Sequence, residues 1–388
     1  FLFFVLELLK AMYGLVDGPL LFQLALLQYL VTALPMTRSL HDDNYLHYAV
    51  GWNLIAVIIV HVDDLLICAT AEFSKWAVEM IERRFGKLKK QALPFTYLGV
   101  RHQKLAIGHF FLDQAPYLEK LQPVVIQPHR AKQDSSPLVP AEHFSFRSLL
   151  CSMLWLCLTR LDLLSDIITL QQEMVSPMMA HLKQLNIVLK RAVKDGVLCG
   201  LHFHRLEFPL KVMGIGDSSA ATKISVYAQE GKLALLMSDA VRTNDLPEWI
   251  EAADCQKFAG YGHPLYFSAK KAGRVSHSTS HAESLAAVGT TQVAQLLAMR
   301  LTEPFVTMLI GRQASAMDYV WHHEQLMPII AVDHATDCMD VFELVCGERG
   351  LTADKNQRIV IMALREDRMR GHIRSFYHWP TGVMLADG

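Results

Sequence analysis

The sequence has no cysteine pairs close enough to form a common metal or redox motif. Its seven cysteines are scattered over 388 residues, their number is odd, and no CxxC pair occurs. A zinc knuckle and a disulfide framework are both disfavoured by this pattern, and a reduced intracellular protein fits it better.

A secretory signal and an initiating methionine are also missing, since the chain begins at Phe1. We therefore expect a fragment of a longer protein. The longest apolar stretch, Leu20 to Met36, contains Gln23, Gln28 and Thr32 and is short for a membrane span. A buried helix is the better interpretation, so no membrane association is expected.

The sequence also lacks an excess of positive charge, because its formal net charge is −1. A free-standing nucleic-acid binder is usually more basic. Local basic clusters weaken this objection, because each could meet phosphates, although each alone is more simply a solvated surface. The clusters are Arg83, Arg84, Lys87, Lys89 and Lys90; Lys270, Lys271 and Arg274; and Arg365, Arg368, Arg370 and Arg374.

The sequence is rich in apolar residues, at 52%, which is enough for two or three domains. Pro123 to Pro140 carries four prolines and predicts a linker. Helical spacing is found from Glu72 to Phe85 and again from Phe146 to about Val193. We predict three regions, with these bounds: 1–122, 123–207 and 208–388.

The last region alternates short strands and helices, which predicts an α/β unit. Strands are predicted at Leu210 to Ile215, Lys232 to Met237 and Leu265 to Ala269. A helix at Ser280 to Leu301 follows, and then a strand at Pro328 to Val332. A further strand is predicted at Phe376 to Trp379.

Carboxylates at the ends of predicted strands are the first candidates for metal ligands. Phosphoryl chemistry on nucleic acids commonly uses two divalent metals roughly 4 Å apart. Hard cations need several carboxylate oxygens that converge from separate elements. Five segments offer such acids: His61-Val62-Asp63-Asp64, Gly216-Asp217-Ser218, Ser280-His281-Ala282-Glu283, Val332-Asp333-His334 and Ala386-Asp387-Gly388.

Each acid also has an ordinary structural explanation. The adjacent acids of the first segment could be a hairpin tip, and Asp217 could close a turn or cap a helix. Asp333 could simply close a strand. Ser280 with Glu283 three residues later forms a good capping box, and a glutamate folded onto its cap is poorly placed to bind metal. The local sequence leaves these alternatives open.

In this order, the segments resemble the reverse transcriptase and ribonuclease H of copia-type retrotransposons. In the first half, the matched motifs are K-A-L-Y-G-L at Lys10 to Leu15, Y-V-D-D-L-L at His61 to Leu66, F-L-G-I at Tyr97 to Val100, and T-R-P-D at Thr159 to Asp162. In the last third they are S-x-S-S-T-E-A-E at Ser276 to Glu283, D-N at Asp333 to His334, and L-A-D at Leu385 to Asp387.

The resemblance implies an α+β and α/β multidomain fold: a partial reverse-transcriptase palm, a helical connection, and a ribonuclease H-like domain with a mixed five-stranded sheet. It implies that Asp217, Glu283, Asp333 and Asp387 hold two Mg²⁺ ions that cut the RNA strand of an RNA–DNA hybrid. Two further acids, Asp63 and Asp64, would match polymerase metal ligands.

Nucleic-acid contacts are also implied by the resemblance. Lys10 and Tyr13 would lie near the nucleotide and template pocket, and Lys270, Lys271 and Arg274 would bind nucleic acid. The expected partners are an RNA template, DNA and an RNA–DNA hybrid, with the oligomeric state left open. The expected location is a cytoplasmic particle or the nucleus.

Some family features are missing or altered. The other polymerase aspartate of the family lies upstream of the K-A-L-Y-G-L motif and outside this sequence, so we expect no DNA polymerisation by this chain alone. His61 replaces an aromatic residue, and Leu161 replaces a proline. One alternative is an inactive remnant that folds and binds nucleic acid weakly. Another is an unrelated metal-dependent hydrolase using pairs such as His322-His323 or His202-x-His204, although no HExxH motif occurs.

Overall fold

The computed structural model describes residues 16–106, 108–196, 199–219, 228–239, 261–273, 275–276, 278–312, 315, 317–318, 329–347 and 349–386. They belong to two compact units. The first unit holds the described residues of Phe1–Lys90 and Met299–Leu326, and the second holds those of Gln91–Ala298 and Met327–Gly388. The boundaries predicted at residues 122 and 207 remain predictions.

An antiparallel sheet and two helices form the core of the first unit. The elements are α1 (Gly18–Ala33), β1 (Thr37–Arg38), β2 (Tyr45–Val50), β3 (Asn53–His61), β4 (Asp64–Ala69) and α2 (Ala71–Phe85), with the strands in sequence order across the sheet. Thr70 caps α2, because its hydroxyl accepts from the Phe73 backbone N–H at 3.3 Å. The helical spacing of Phe73, Ala77 and Ile81 puts all three in the buried core, as the sequence predicts.

Residues from later in the chain complete this unit. Glu303 is buried. Its carboxylate accepts hydrogen bonds from the Ser39 hydroxyl and the Leu40 backbone N–H, each at 2.6 Å. The two sequence segments of the first unit are therefore joined by a buried carboxylate whose oxygens are both hydrogen-bonded.

The second unit begins with an antiparallel sheet interrupted by helices. Its elements are β5 (Phe95–Tyr97), β6 (Val100–Ala106), β7 (His109–Asp113), α3 (Ala115–Leu118), α4 (Pro140–Leu156), α5 (Leu164–Gln172), α6 (Met179–Asp195) and β8 (Leu201–His204). Strand β8 pairs with β7 at the edge of this sheet. Helices α4 to α6 bury one apolar core that includes Phe146, Met153 and Leu182. These helices confirm the predicted helical region.

A mixed five-stranded sheet forms the rest of the second unit. Its strands are β9 (Leu210–Ser219), β10 (Gln229–Ser238), β11 (Gly262–Lys271), β12 (Ala331–Thr336) and β13 (Ser375–His378), in the order β11-β10-β9-β12-β13. Strands β9 to β11 are antiparallel, whereas β12 is parallel to both β9 and β13. Among the described residues, the further α-helices are α7 (Thr279–Thr302), α8 (Val306–Ile310), α9 (Met339–Cys346) and α10 (Lys355–Met369). Of these, α8 belongs to the first unit. The predicted mixed five-stranded sheet is confirmed.

Helix α7 approaches β9 closely at a glycine. A Cβ atom at Gly216 would lie 2.7 Å from the Thr290 hydroxyl and 3.1 Å from the Ala286 carbonyl oxygen, both on α7. The stretch Thr279–Ile310 is long and apolar enough to cross a membrane by length and composition. That indication is weak, because the core helix of a folded domain passes the same test, and Ala286 and Thr290 pack here on a sheet.

Two strand ends differ from the prediction. Strand β9 does not end before Asp217, because its pairing with β10 continues through Asp217 to Ser219. Strand β12 begins at Ala331 and continues to Thr336, so Asp333 lies inside the strand. A carboxylate can be buried there only because cationic side chains pair with it.

Candidate active site

Three carboxylates meet at one end of the five-stranded sheet. They are Asp217 on β9, Glu283 on α7 and Asp337, which directly follows β12. One oxygen of each carboxylate lies within 4.8 Å of the others. Glu283 is buried, and the two aspartates are half-buried. Carboxylates that converge from three separate elements are the arrangement that a hard divalent cation requires.

The strand register explains why Asp337 meets Asp217. In the parallel pair, Ala331 lies opposite Lys211 and Ala335 lies opposite Ile215. Two residues further along the two strands come Asp337 and Asp217. The sheet thus delivers both acids to the same edge.

Glu283 is directed towards β9. Its Oε1 accepts from the backbone N–H of Ser218 at 3.2 Å. The hydroxyl of Ser278 caps the start of α7, accepting from the His281 backbone N–H at 3.1 Å. The hydroxyl of Ser280 accepts instead from the Gln357 side-chain amide at 2.6 Å. Of the two alternatives left open by the sequence, the structure places Glu283 with the acidic cluster.

Asp333 is not part of this cluster, which corrects its predicted role as a metal ligand. It is fully buried and accepts from the Arg374 guanidinium at 3.0 and 2.7 Å, with Lys211 Nζ 3.2 Å away. Arg374 also donates to Asp239 at 2.5 and 2.9 Å. The positive charges of Lys211 and Arg374 therefore balance the negative charges of Asp239 and Asp333. Asp333 also lies four residues before Asp337, about 13 Å along an extended strand.

The neighbouring His334 is a core residue. Its ring stacks on Phe376, and its Nδ1 lies 3.3 Å from the Thr291 hydroxyl. Burial lowers the pKa of His334 to about 3. The Asp333-His334 pair matched to the D-N motif therefore has a structural role.

Asp387 lies outside the described residues. The residue before it, Ala386, lies against β10, because a Cβ atom at Gly231 would be 2.6 Å from the Ala386 carbonyl oxygen. Gly231 pairs with Asp217 across the sheet. Ala386, the last described residue, thus lies against β10, the strand that pairs with Asp217.

A cleft of about 210 Å³ opens next to Asp217. Its lining includes Ser165 from α5, Glu230 and Lys232 from β10, and Ser268 from β11. Lys232 Nζ lies 3.2 Å from the Glu230 carboxylate. The cleft therefore places Glu230 and Lys232 near one metal-ligand candidate, in a lining that is otherwise largely apolar.

Two predicted nucleic-acid-binding residues lie at the same end of this sheet. Lys270 and Lys271 end β11 and are exposed. They pair with Glu230 and Gln229 on β10, which in turn pairs with the end of β9. The two lysines therefore lie two strand spacings, or about 10 Å, from β9. Both ammonium groups can meet phosphates near the acids. The other three predicted residues, Lys10, Tyr13 and Arg274, lie outside the described residues.

The polymerase candidates Asp63 and Asp64 lie at a hairpin tip in the first unit, as the sequence predicts. His61 pairs with Asp64, which leaves Val62 and Asp63 as a two-residue turn. Val62 has a φ of 58°, a left-handed conformation that is strained for a β-branched residue. Both aspartates are exposed. In the described part of the chain, neither belongs to a group of three potential metal ligands.

Asp337 is the residue that sequence reasoning missed. The apolar run before Asp333 predicts a strand end at Val332, four residues before the observed end at Thr336. A better signal was available, because Val341, Phe342, Leu344 and Val345 form the buried face of a helix that begins just after Asp337. Helical spacing there marks Asp337 as the strand-to-helix junction.

Two curated proteins are similar to this chain. They are the "Retrovirus-related Pol polyprotein from transposon RE1" and its RE2 counterpart, both from Arabidopsis thaliana. They are 25% identical over 313 and 312 residues, which covers 77% of this chain and 19% of each relative. The chain is a relative of retrotransposon Pol polyproteins. It spans about a fifth of the length of the two relatives. A comparison with protein-family models finds no match.

Two solved structures also resemble parts of this Pol relative. Ribonuclease H1 from Halobacterium salinarum matches 45% of the chain and 90% of its own length, with 12% identity and a TM-score of 0.25. The foamy viral protease–reverse transcriptase, solved with an RNA/DNA hybrid, matches 97% of the chain and 40% of its own length, with 10% identity and a TM-score of 0.41. The similarity to the two curated proteins supports the predicted resemblance to retrotransposon Pol polyproteins, whereas the copia-type subclass stays a prediction.

Proposed function

We propose that the second unit is a ribonuclease H that hydrolyses the RNA strand of RNA–DNA hybrids with a divalent metal. One observation carries the proposal: oxygens of Asp217, Glu283 and Asp337 lie within 4.8 Å of one another. An all-oxygen ligand set suits Mg²⁺ or Mn²⁺ better than softer metals. We propose Mg²⁺ as the ion, held by these three acids together with Asp387.

The protein's own groups supply orientation and substrate binding. The Ser218 backbone N–H holds Glu283 in place, and the strand register holds the two aspartates. Lys270 and Lys271 bind phosphates of the hybrid. Contacts to 2′-hydroxyl groups and helix shape distinguish RNA from DNA. The acids would hold a pair of Mg²⁺ ions, which would supply activation of water and stabilisation of the leaving oxygen.

The decisive experiment compares single acid variants on a hybrid with a labelled RNA strand and Mg²⁺. Asp337→Asn and Asp217→Asn should each lower the cleavage rate by roughly 100-fold or more, because each removes charge that holds the metal. Asp340→Asn is the matched control, since Asp340 lies three residues later and pairs with Arg349 on the surface. It should cleave at the wild-type rate.

Several outcomes would contradict this proposal. One is a well-folded wild-type chain that leaves the hybrid intact, and another is full activity in Asp337→Asn. If the folded wild type also shows no heat of Mg²⁺ binding by calorimetry, the chain is an inactive remnant that binds nucleic acid weakly.

We also propose that this chain alone does not polymerise DNA. Asp63 and Asp64 come from one hairpin, and two acids from one turn cannot supply the convergent ligands of a two-metal site. Primer extension on an RNA template with Mg²⁺ should give no product. Clear incorporation of nucleotides would contradict this.

A further inference from the structure

We propose that His109, His202 and His204 form a second, separate metal site that binds Zn²⁺. One ring nitrogen of each histidine lies within 4.8 Å of the others. All three belong to the second unit, in the sheet of β5 to β8 rather than in the sheet that carries the acids. The site does not depend on the proposed nuclease function.

The backbone brings these histidines together. His202 and His204 are two residues apart on β8, so their side chains leave the same face of the strand. His109 begins β7 and pairs directly with His204. Side chains of directly paired residues lie about 5 Å apart at their Cβ atoms. Three imidazoles are therefore fixed on one small patch by strand pairing.

The ring nitrogens lie near the spacing of the ligands in a tetrahedral zinc site. His109 Nε2 lies 3.0 Å from His202 Nδ1. The ring centroids of His109 and His204 are 4.0 Å apart. Zinc–nitrogen bonds of about 2.0 Å in a tetrahedron separate two ligand nitrogens by roughly 3.3 Å. The rings of His109 and His204 are stacked with 25° between their planes, so binding requires them to turn until their in-plane nitrogens point at one ion.

Neighbouring aromatic rings pack against two of the histidines. Tyr261 stacks on His204 with centroids 3.9 Å apart, and Phe111 lies 4.5 Å from the ring of His202. The backbone N–H of His204 donates to His263 Nε2 at 3.0 Å, which ties this end of β8 to β11. These contacts hold the rings near one another before any metal arrives, and such preorganisation favours binding.

The ligand chemistry selects a different class of ion from that of the acidic cluster. An all-imidazole set suits Zn²⁺, and also Cu²⁺ and Ni²⁺, whereas Mg²⁺ prefers oxygen ligands. His202 is exposed and the other two histidines are half-buried. Three protein ligands at a surface leave a fourth position for water. The bound ion would also link β7 to β8, which are far apart in the sequence.

The test uses the full chain, stripped of metal with a chelator and held in excess Mg²⁺ to occupy oxygen-rich sites. Zn²⁺ affinity is measured by competition with a chromogenic chelator, and Co²⁺ is used as a spectroscopic probe. Three nitrogen ligands in a tetrahedral site give an intense visible absorption band, whereas six oxygen ligands give a weak one. The wild type should show the intense band and bind Zn²⁺ at this site.

His202→Ala and His109→Ala should each lower the Zn²⁺ affinity by about 100-fold or more, since even the loss of an indirect partner of a ligand costs 10- to 100-fold. His129→Ala is the control, because His129 is exposed and lies outside the cluster. It should keep the wild-type affinity and band. Circular dichroism checks that each variant is folded, and the exposed position of His202 makes that variant the less disruptive one.

Zn²⁺ should also raise the melting temperature of the wild type and of His129→Ala, but not of His202→Ala, because an ion that binds only the native state stabilises it. The proposal is overturned if the wild type shows no intense Co²⁺ band. It is equally overturned if the band survives both histidine variants or disappears in Asp217→Asn.

Discussion

Two aspartates on β12 and at its end show how much the surroundings decide the role of a residue. Asp333 and Asp337 are four residues apart, yet the first is neutralised by Arg374 and Lys211, and the second is half-buried beside other acids. Burial opposes the charge of Arg374, but hydrogen bonds to Asp239 and Asp333 outweigh it and hold its pKa above the ordinary arginine value. Asp333 therefore serves stability rather than metal binding.

Removing the charge of Asp333 should be costly. Asp333→Asn is expected to lower the free energy of unfolding by about 3 kcal/mol, because it leaves Lys211 and Arg374 with one carboxylate fewer in a buried cluster. Denaturant unfolding followed by circular dichroism measures this change. Asp340→Asn, which breaks a surface pair with Arg349, should cost less than about 1 kcal/mol. Equal effects of the two variants would contradict the assignment.

His334 should make stability depend on pH. Its folded pKa of about 3 lies below the unfolded value of about 6.5, so between these values the unfolded chain binds the extra proton. Stability due to His334 is therefore present above pH 6.5 and is lost as the pH falls, by about 2 kcal/mol between pH 7 and pH 5.

His334→Leu should reduce that loss by about the same amount. Unfolding curves of both proteins at pH 7 and pH 5 provide the measurement. An unchanged difference between the two pH values in the variant would show that His334 is not kept neutral in the fold.

The sequence alone predicted Asp217, Glu283, Asp333 and Asp387 as metal ligands, whereas the structure brings Asp337, and not Asp333, next to Asp217 and Glu283. A strand that leads to an acid is a local pattern, and both Asp333 and Asp337 satisfy it in part. The choice between them depends on Lys211, Asp239 and Arg374, which are distant in the sequence. Local patterns cannot reveal such a long-range balance of charges.

The contact between β9 and α7 positions Glu283 over the sheet. Gly216→Ala should lower the free energy of unfolding by about 2 kcal/mol, because the new methyl group would meet Thr290 and the Ala286 carbonyl at less than normal contact distance. Adding Thr290→Ala should recover part of this loss, which a double-mutant cycle measures.

Gly273→Ala is the control for this change, because a Cβ atom there would meet no other atom within 4 Å and the backbone is not left-handed. It should leave stability nearly unchanged. If Gly216→Ala is equally harmless, α7 does not press on β9 as described.

Long helices and the short edge strand β13 were predictable from sequence, whereas the short edge strand β8 was not. Apolar spacing indicated α2 and the helices of the second unit, since that signal is local. Strand β8 has only four residues and was not predicted, because it is defined by pairing with β7 across the intervening helices. The three-histidine patch became visible only with that pairing.

A net charge of −1 over 388 residues means that nucleic-acid binding must come from local patches. Lys270→Gln with Lys271→Gln should weaken hybrid binding. It should also reduce the slope of log affinity against log salt by about 2, because each lost phosphate contact removes about 0.9. Fluorescence anisotropy at several salt concentrations provides the measurement.

A matched double variant on helix α6, Lys183→Gln with Lys190→Gln, removes the same charge far along the sequence from this patch. It should leave the slope close to that of the wild type. A slope that falls equally in both double variants would mean that total charge, rather than the end of β11, governs binding.

The buried carboxylate of Glu303 has a practical consequence for dissecting this chain. Ser39 and Leu40 depend on a glutamate encoded more than two hundred residues later. A polypeptide cut anywhere between Gln91 and Ala298 would therefore keep either Ser39 and Leu40 or Glu303, but not both. Lost function in such a piece would report a broken fold rather than a missing catalyst, so point substitutions in the intact protein are the sounder route.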